Sequence, residues 1–116
     1  MNKYEPQLIK QKIYSLLNRI GITSNYTGYY YIAYAVLISL YQPRRIVQVT
    51  KWIYPAVAKH YSTSSYAVER NIRTIVDMVW LNHREVFESI FKIYLKDKPG
   101  NAQFLAIITM YIISIY

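Results

Sequence analysis

The sequence predicts an all-α domain of about six helices. Apolar residues recur at helical spacing along most of the chain, and no segment shows the sustained alternation of a half-buried strand. The few prolines and glycines fall between the periodic segments, where they act as breaks. The chain has 116 residues, of which 53% are hydrophobic and 17% charged, so it is long enough to bury one core. We therefore expect a single domain over residues 1–116.

The first two predicted helices are a surface helix and a buried helix. The first runs from about Pro6 to Ile20, carries its apolar residues on one face and is followed by Gly21. Glycine at that position can close a helix in the left-handed conformation. The second helix runs from about Gly28 to Tyr41 and is apolar nearly all round. A helix of that kind is expected at the centre of the domain.

The third segment, about Ile46 to Tyr61, begins after Pro43 and contains Pro55. A proline inside a helix removes a backbone hydrogen bond and kinks the chain. We therefore expect a short turn before Pro55, or a kink at it, and then a compact helix ending at His60. The serine and threonine cluster at residues 62–65 should break that helix and supply the N-cap of the next.

The fourth predicted helix, about Ser65 to Leu81, has the clearest amphipathic pattern in the chain. Its predicted buried stripe consists of Val68, Ile72, Ile75, Val76, Val79 and Trp80. Its opposite face carries Glu69, Arg70, Arg73, Thr74 and Asp77. A long helix with one buried and one polar face leaves the polar face available to a partner.

The C-terminal part predicts two further helices. The fifth, about His83 to Leu95, is expected to bury Val86, Phe87, Ile90, Phe91 and Tyr94. Residues 96–100 form a turn, after which Asn101 is expected to cap a final helix that reaches the end of the chain. In that last helix we expect burial of Phe104, Leu105 and Ile108, and a partner contact for part of residues 111–116.

The charge of the chain indicates a polyanionic partner. There are 14 Lys and Arg residues against 6 Asp and Glu, which gives a net charge of +8 and a pI near 9.7. Nucleic acid is the first candidate and an anionic membrane surface the second. The apolar runs at residues 29–41 and 104–116 are too short to span a bilayer, which takes about 20 residues. We expect no membrane partner.

Several chemistries are disfavoured by composition. The chain has no cysteine and two histidines, so it lacks a thiolate nucleophile and a cysteine-based zinc site. Three glycines do not form a phosphate-binding loop. We expect no metal, no cofactor and no enzymatic activity. The lack of cysteine and of a signal-peptide pattern fits a cytoplasmic, nucleoid-associated protein.

Residues from about 47 to 81 have the outline of a helix-turn-helix, with two helices joined by a serine-rich break. In such a motif the first turns of the second helix meet base edges in the major groove. Arg70 and Arg73 share a face, and a guanidinium matches the acceptors of guanine. Glu69 can accept a hydrogen bond from cytosine. The predicted base-reading residues are Glu69, Arg70, Arg73 and Thr74.

Phosphate contacts are predicted around this motif, since basic and hydroxyl side chains and helix N-termini bind phosphates. The candidates are Lys51, Lys59, Ser64, Ser65, Tyr66 and Arg84, with Arg44 and Arg45 as further basic residues. The spacing also allows a second interpretation. The pairs Glu69–Arg73 and Arg73–Asp77 are each four residues apart and could be ordinary surface ion pairs.

Six short motifs in order resemble one known family. They are Ile20–Ile22 (IGI), Gly28–Ile32 (GYYYI), Tyr54–Lys59 (YPAVAK), Val68–Arg73 (VERNIR), Trp80 at the matching distance, and Lys98-Pro99 with Asn101 and Phe104. The chain thereby resembles, from about Ile9 to Ile113, the C-terminal effector domain of the stage-zero sporulation response regulator. The resemblance implies a six-helical, winged-less effector domain that binds double-stranded DNA as a transcription regulator, with Glu69, Arg70 and Arg73 at base-reading positions.

The resemblance also implies an assembly, because that family often binds repeated sites as a tandem pair. We expect a homodimer or tandem dimer through the C-terminal helix. No receiver domain is expected in these 116 residues, so control by phosphorylation is not carried over. An alternative remains open in which the chain is a receiver-less interaction protein that pairs with or antagonises a full-length regulator. A membrane-surface binder that uses the basic first helix is a further alternative.

Overall fold

The computed structural model describes residues 5–115 and confirms the all-α fold class. These residues contain six α-helices and no β-strand. The helices are α1 (Pro6–Arg19), α2 (Thr27–Tyr41), α3 (Tyr54–His60), α4 (Ser65–Asn82), α5 (Arg84–Phe91) and α6 (Asn101–Ser114). All six helices contribute side chains to one hydrophobic core.

The apolar helix α2 lies at the centre of the domain, as predicted, and packs against α1, α4 and α6. It approaches α4 closely at Gly28. A Cβ atom placed on Gly28 would lie 2.5 Å from the backbone oxygen of Asn71 and 2.7 Å from Cγ1 of Ile75. These distances are shorter than van der Waals contact, so glycine is required for α2 and α4 to approach this closely.

Helix α1 ends as the sequence predicts, at a left-handed glycine. Gly21 has a φ of +89°, its N–H donates to the carbonyl of Asn18, and the N–H of Ile22 donates to the carbonyl of Leu17. This pair of hydrogen bonds is a Schellman motif, which satisfies carbonyls at a helix end. The imidazole of His83 packs directly over Gly21 and leaves no room for a side chain there.

The connection from α2 to α3 is irregular because two prolines interrupt it. Residues Pro43–Gln48 form a 3₁₀ helix and Val49–Ile53 form a π-helical turn. Pro55 then falls in the first turn of α3, where its missing N–H costs no helical hydrogen bond. The predicted turn before Pro55, followed by a compact helix to His60, is confirmed.

Helix α4 buries five of its six predicted stripe residues, namely Val68, Ile72, Ile75, Val76 and Val79, while Trp80 is half-buried. The helix begins at the predicted serine cluster. Ser64 is its N-cap, and the Ser64 hydroxyl accepts a hydrogen bond from the N–H of Ala67 at 3.0 Å. The cap therefore sets the position at which the polar face of α4 starts.

Helix α5 is shorter than predicted, because it ends at Phe91 and Lys92 adopts a left-handed conformation with φ of +53°. The carboxylate of Glu88 accepts from the N–H of Leu95, and the guanidinium of Arg84 donates to the Leu95 carbonyl at 2.6 Å. The chain is thus folded back on α5 instead of extending it. As a result Tyr94 is 71% exposed, and the prediction that it is buried was wrong.

The same correction applies to Val86, which is 37% exposed, whereas Phe87 is buried as predicted. The capping role predicted for Asn101 is also wrong. Gly100 is the N-cap of α6, and Asn101 is the first residue inside the helix, with its side chain turned toward α3 and α4.

The predicted burial of Phe104, Leu105 and Ile108 in α6 is confirmed. At its C-terminal end Met110, Ile113 and Ile115 are exposed. Tyr116 lies outside the described residues. None of the helices in residues 5–115 combines the length and apolar character needed to cross a lipid bilayer.

Candidate nucleic-acid interface

Helices α3 and α4 pack against each other and are joined by a four-residue turn, Tyr61–Ser64. The turn begins with a second Schellman motif, in which the N–H of Ser62 donates to Lys59 and the N–H of Thr63 donates to Ala58. Ser62 has a φ of +55°, so a side-chain-bearing residue occupies a left-handed position here. These hydrogen bonds close the C-terminal end of α3 and fix the course of the chain as it turns toward α4.

The outward face of α4 carries the predicted base-reading residues. Arg70, Arg73 and Thr74 are exposed, Glu69 is half-buried, and Tyr66 is 69% exposed in the first turn. They occupy the first three turns of the helix, within about 14 Å of its N-terminus. The structure therefore brings all four candidates onto one surface, next to the turn that follows α3.

Arg70 differs from the other polar residues of this face. Its side chain is exposed and forms no hydrogen bond or ion pair with another described residue, so its guanidinium donors are available to an external partner. A guanidinium has five N–H donors in a planar fork. Arg70 is consequently the side chain of α4 best prepared to bind an external acceptor.

Arg73 and Glu69 form an ion pair on the surface of α4, with 2.7 Å between Nη1 of Arg73 and Oε1 of Glu69. The Arg73 side chain is 53% exposed, so the pair is screened by water and adds little to stability. The Thr74 hydroxyl donates to the carbonyl of Arg70 at 3.1 Å and is thus directed back to its own helix. Of the two ion pairs predicted from helical spacing, Glu69–Arg73 is therefore formed.

The second such pair, Arg73–Asp77, is replaced by a contact with another element. The carboxylate of Asp77 pairs with the ammonium group of Lys98, which precedes α6. The sequence did not predict that Lys98 pairs with Asp77, because 21 residues separate the two and no helical spacing relates them. The turn before α6 therefore borders the polar face of α4.

Most of the predicted phosphate-binding residues lie around the start of α4. Lys59 is exposed in the last turn of α3, Ser64 is the exposed N-cap, and Ser65 is the half-buried first residue of α4. Lys51 is exposed before α3. The N-terminus of α4 carries unpaired backbone N–H groups, which favour anions.

Arg84 lies apart from this group. It follows the C-terminal end of α4, which at 18 residues is about 27 Å long. The Arg84 guanidinium is 4.0 Å from the ring centroid of Trp80 and also contacts Glu88 and Leu95. Through these contacts Arg84 stabilises the chain at Leu95, where it folds back on α5.

Asn101 and Tyr54 were not predicted to take part in the site. The Asn101 amide donates one hydrogen bond to the hydroxyl of Tyr54 in α3 and another to the backbone carbonyl of Glu69 in α4, each 3.0 Å long. Burial raises the pKa of Tyr54, and the hydrogen bond from Asn101 partly offsets this effect. These two side chains lie where α3, α4 and α6 meet. No spacing in the sequence predicts this contact.

No group of three His, Asp or Glu side chains within residues 5–115 is arranged to hold a metal ion.

The sequence of the chain matches one known protein family. Residues 13–112 match the family described as sporulation initiation factor Spo0A C terminal.

The chain belongs to this family. The match covers most of the 116 residues, and it confirms the resemblance inferred from the six motifs. The Spo0A C-terminal family consists of DNA-binding regulatory domains, not of enzymes, and its members act in transcription during sporulation. Double-stranded DNA is accordingly the partner that family membership supports.

Proposed function

We propose that this domain binds specific sequences in double-stranded DNA and regulates transcription, with α3 and α4 as a helix-turn-helix and α4 in the major groove. The observation that carries the proposal is the free, exposed guanidinium of Arg70 on the outward face of α4. A bidentate arginine–guanine contact of this kind discriminates between bases by about 1–3 kcal/mol. We assign base reading to Arg70, Arg73 and Glu69, with Thr74 beside them.

Phosphate binding is proposed for residues around the start of α4 and for one residue before α3. They are Lys51, Lys59, Ser64, Ser65 and Tyr66, while Arg84 is assigned to the structure of α5. Phosphate contacts fix the position of a protein on DNA but carry no sequence information. The two groups of residues should therefore be separable by experiment. Because its partner is chromosomal DNA, we place the protein in the cytoplasm at the nucleoid.

The test is fluorescence anisotropy on a labelled duplex recovered from random-pool selection and on a scrambled duplex, across a salt series. The selected duplex should bind at least about 10³ times more tightly than the scramble. Arg70→Ala should lose most of this preference, whereas Lys59→Ala should weaken both duplexes equally and reduce the salt slope by about 1. Equal affinities of the original protein for both duplexes would refute sequence-specific binding.

A second candidate function is supported by the apolar surface at the C-terminal end of α6. Met110 is 62%, Ile113 37% and Ile115 52% exposed, and an adjacent groove is lined by Phe91, Ile93, Ile107 and Tyr111. Pairing of two such surfaces would give the homodimer or tandem dimer expected on repeated sites. The same surface would serve a receiver-less protein that pairs with a full-length regulator. Sedimentation with and without DNA, and with that regulator added, distinguishes these assemblies.

A further inference from the structure

Trp52 is an exposed tryptophan in the irregular segment between α2 and α3. It is 41% exposed, and Val47 in the same segment is 82% exposed. The indole is nevertheless held in place, because its Nε1 donates a hydrogen bond to the side-chain oxygen of Gln48 one turn earlier. An oriented aromatic ring on the surface is a common feature of binding sites.

Two cations lie against the Trp52 ring. The guanidinium carbon of Arg45 is 4.9 Å from the ring centroid, and Nζ of Lys51 is 5.5 Å from it. Arg44 is exposed next to Arg45. We call the group formed by Arg44, Arg45, Val47, Lys51 and Trp52 the Trp52 patch. Cation–π contact orients the two charged groups without neutralising them, so they keep donors for an anionic partner.

The charge of the Trp52 patch is uncompensated. Residues 6–68 contain seven Lys and Arg residues and no Asp or Glu. All the ion pairs in the described part of the chain lie between residues 69 and 98. The patch therefore differs from the polar face of α4, where Glu69 and Asp77 offset the basic residues. A surface with cations only, around an aromatic ring, is complementary to a polyanion.

We propose that the Trp52 patch binds the sugar–phosphate backbone of the same duplex that α4 reads, outside the major groove. The proposal rests on the proposed function. Lys51 and Trp52 lie in the turn that leads into α3, and the first helix of a helix-turn-helix crosses the DNA backbone. Arg44, Arg45 and Lys51 supply phosphate contacts, and the Trp52 ring and Val47 pack on the deoxyribose. The patch thus adds affinity and lengthens the DNA footprint without reading sequence.

The first test compares two double variants that lower the net charge equally. Arg44→Ala/Arg45→Ala removes two cations of the patch, and Lys10→Ala/Lys12→Ala removes two exposed cations of α1. The patch variant should weaken binding to the selected and scrambled duplexes by the same factor, roughly tenfold, and reduce the salt slope by about 2. The α1 variant should leave the slope within about 0.5 of the original value. Equal slopes for the two variants would overturn the proposal.

The second test uses tryptophan fluorescence, since the chain has only Trp52 and Trp80. Trp80→Phe makes Trp52 the single reporter. Addition of duplex should reduce its collisional quenching by acrylamide at least about twofold. The reverse variant, Trp52→Phe, leaves Trp80 as a control at the far end of α4 and should show no such protection. Unchanged acrylamide quenching of Trp52 in the bound state would overturn the proposal.

These outcomes separate this inference from the proposed function. If the protein prefers its selected duplex but the patch variant matches the α1 variant, the sequence-reading function stands and the patch does not contact DNA. If both duplexes bind equally and the patch variant alone loses salt dependence, the patch stands and sequence reading fails. If the patch variant instead loses binding to an acidic protein and not to DNA, its partner is a protein and the proposal is refuted.

Discussion

The side-chain amide of Asn101 donates a 3.0 Å hydrogen bond to the backbone carbonyl of Glu69, which joins the first turn of α6 to the second turn of α4. The same nitrogen donates to the hydroxyl of Tyr54 in α3, also at 3.0 Å. One side chain thereby ties together the two helices of the proposed helix-turn-helix. The side chains of Glu69 and Arg73 project from the part of the α4 backbone to which Asn101 is hydrogen-bonded.

Replacing Asn101 should therefore affect both stability and DNA binding. Asn101→Ala removes two hydrogen bonds and leaves the buried Tyr54 hydroxyl without its donor, so we expect the free energy of unfolding to fall by about 1–3 kcal/mol. Asn101→Asp should cost more, because a carboxylate repels the Glu69 carbonyl. Tyr54→Phe is the matched control that removes one hydrogen bond. Urea denaturation measures all three, and an effect of Asn101→Ala no larger than that of Tyr54→Phe would contradict the role of the Glu69 contact.

Gly28→Ala should destabilise the domain and displace α4. The added methyl group would meet the Asn71 carbonyl at 2.5 Å, and backbone cannot move aside as a flexible side chain does. Overpacking of this kind costs about 1–3 kcal/mol. Gly100→Ala is the control, because a Cβ there meets no atom within 4 Å. Thermal unfolding compares the two variants. Equal melting temperatures would show that α2 and α4 can move apart at Gly28 without loss of stability.

Ser62→Gly should stabilise the protein. Ser62 has a φ of +55°, and the left-handed region costs a residue with a side chain about 1–2 kcal/mol relative to glycine. Part of this gain is lost to the greater freedom of glycine in the unfolded chain, so we expect about 1 kcal/mol. DNA affinity should stay the same, because the turn geometry is preserved. A loss of stability would mean that the Ser62 side chain makes a favourable contact that outweighs its strain.

Stability should decline at alkaline pH because of tyrosines on α1, on α2 and in the turn after α3. Burial, together with neighbouring Tyr14, Tyr34, Tyr31 and Tyr30, raises the pKa of Tyr61 from 10.0 to about 12. Between these values the unfolded chain loses its proton first, so the free energy of unfolding falls as pH rises above about 10 and is constant below it. Burial also raises the pKa values of Tyr14 and Tyr29. Denaturation of Tyr61→Phe from pH 8 to 11.5 should show a shallower decline, and an unchanged slope would contradict the assignment.

Glu69→Gln should reduce the specificity of DNA binding by two routes. It replaces the carboxylate proposed to accept from cytosine with a neutral amide, whose oxygen is a weaker acceptor. It also removes the charge that holds Arg73 in its 2.7 Å ion pair. We expect affinity for a scrambled duplex to rise a few-fold while affinity for the selected duplex falls roughly tenfold. Asp77→Asn is a charge-matched control that should raise both affinities together. Parallel changes in the two variants would assign Glu69 a purely electrostatic role.

The sequence alone determined the local features of this protein. Periodic apolar residues predicted α1 and α4, because a helix that packs on a core with one side must place its apolar side chains on that face. A nearly continuous apolar run predicted the central helix α2. Gly21, Pro43, Pro55 and the serine cluster predicted where helices begin and end. The base-reading candidates on α4 followed from the same periodicity, since residues three and four apart share a face.

Tertiary structure decided what depends on contacts between distant residues. Helix α5 ends at Phe91 because Arg84 and Glu88 bind the returning chain at Leu95. Asp77 pairs with Lys98, and Asn101 binds Tyr54 and Glu69 across 47 and 32 residues of sequence. Helical periodicity carries no information about such partners, because they meet only once the helices pack. Packing therefore determined which polar side chains of α4 are engaged by other parts of the described chain, and within residues 5–115 it left the Arg70 side chain without a partner.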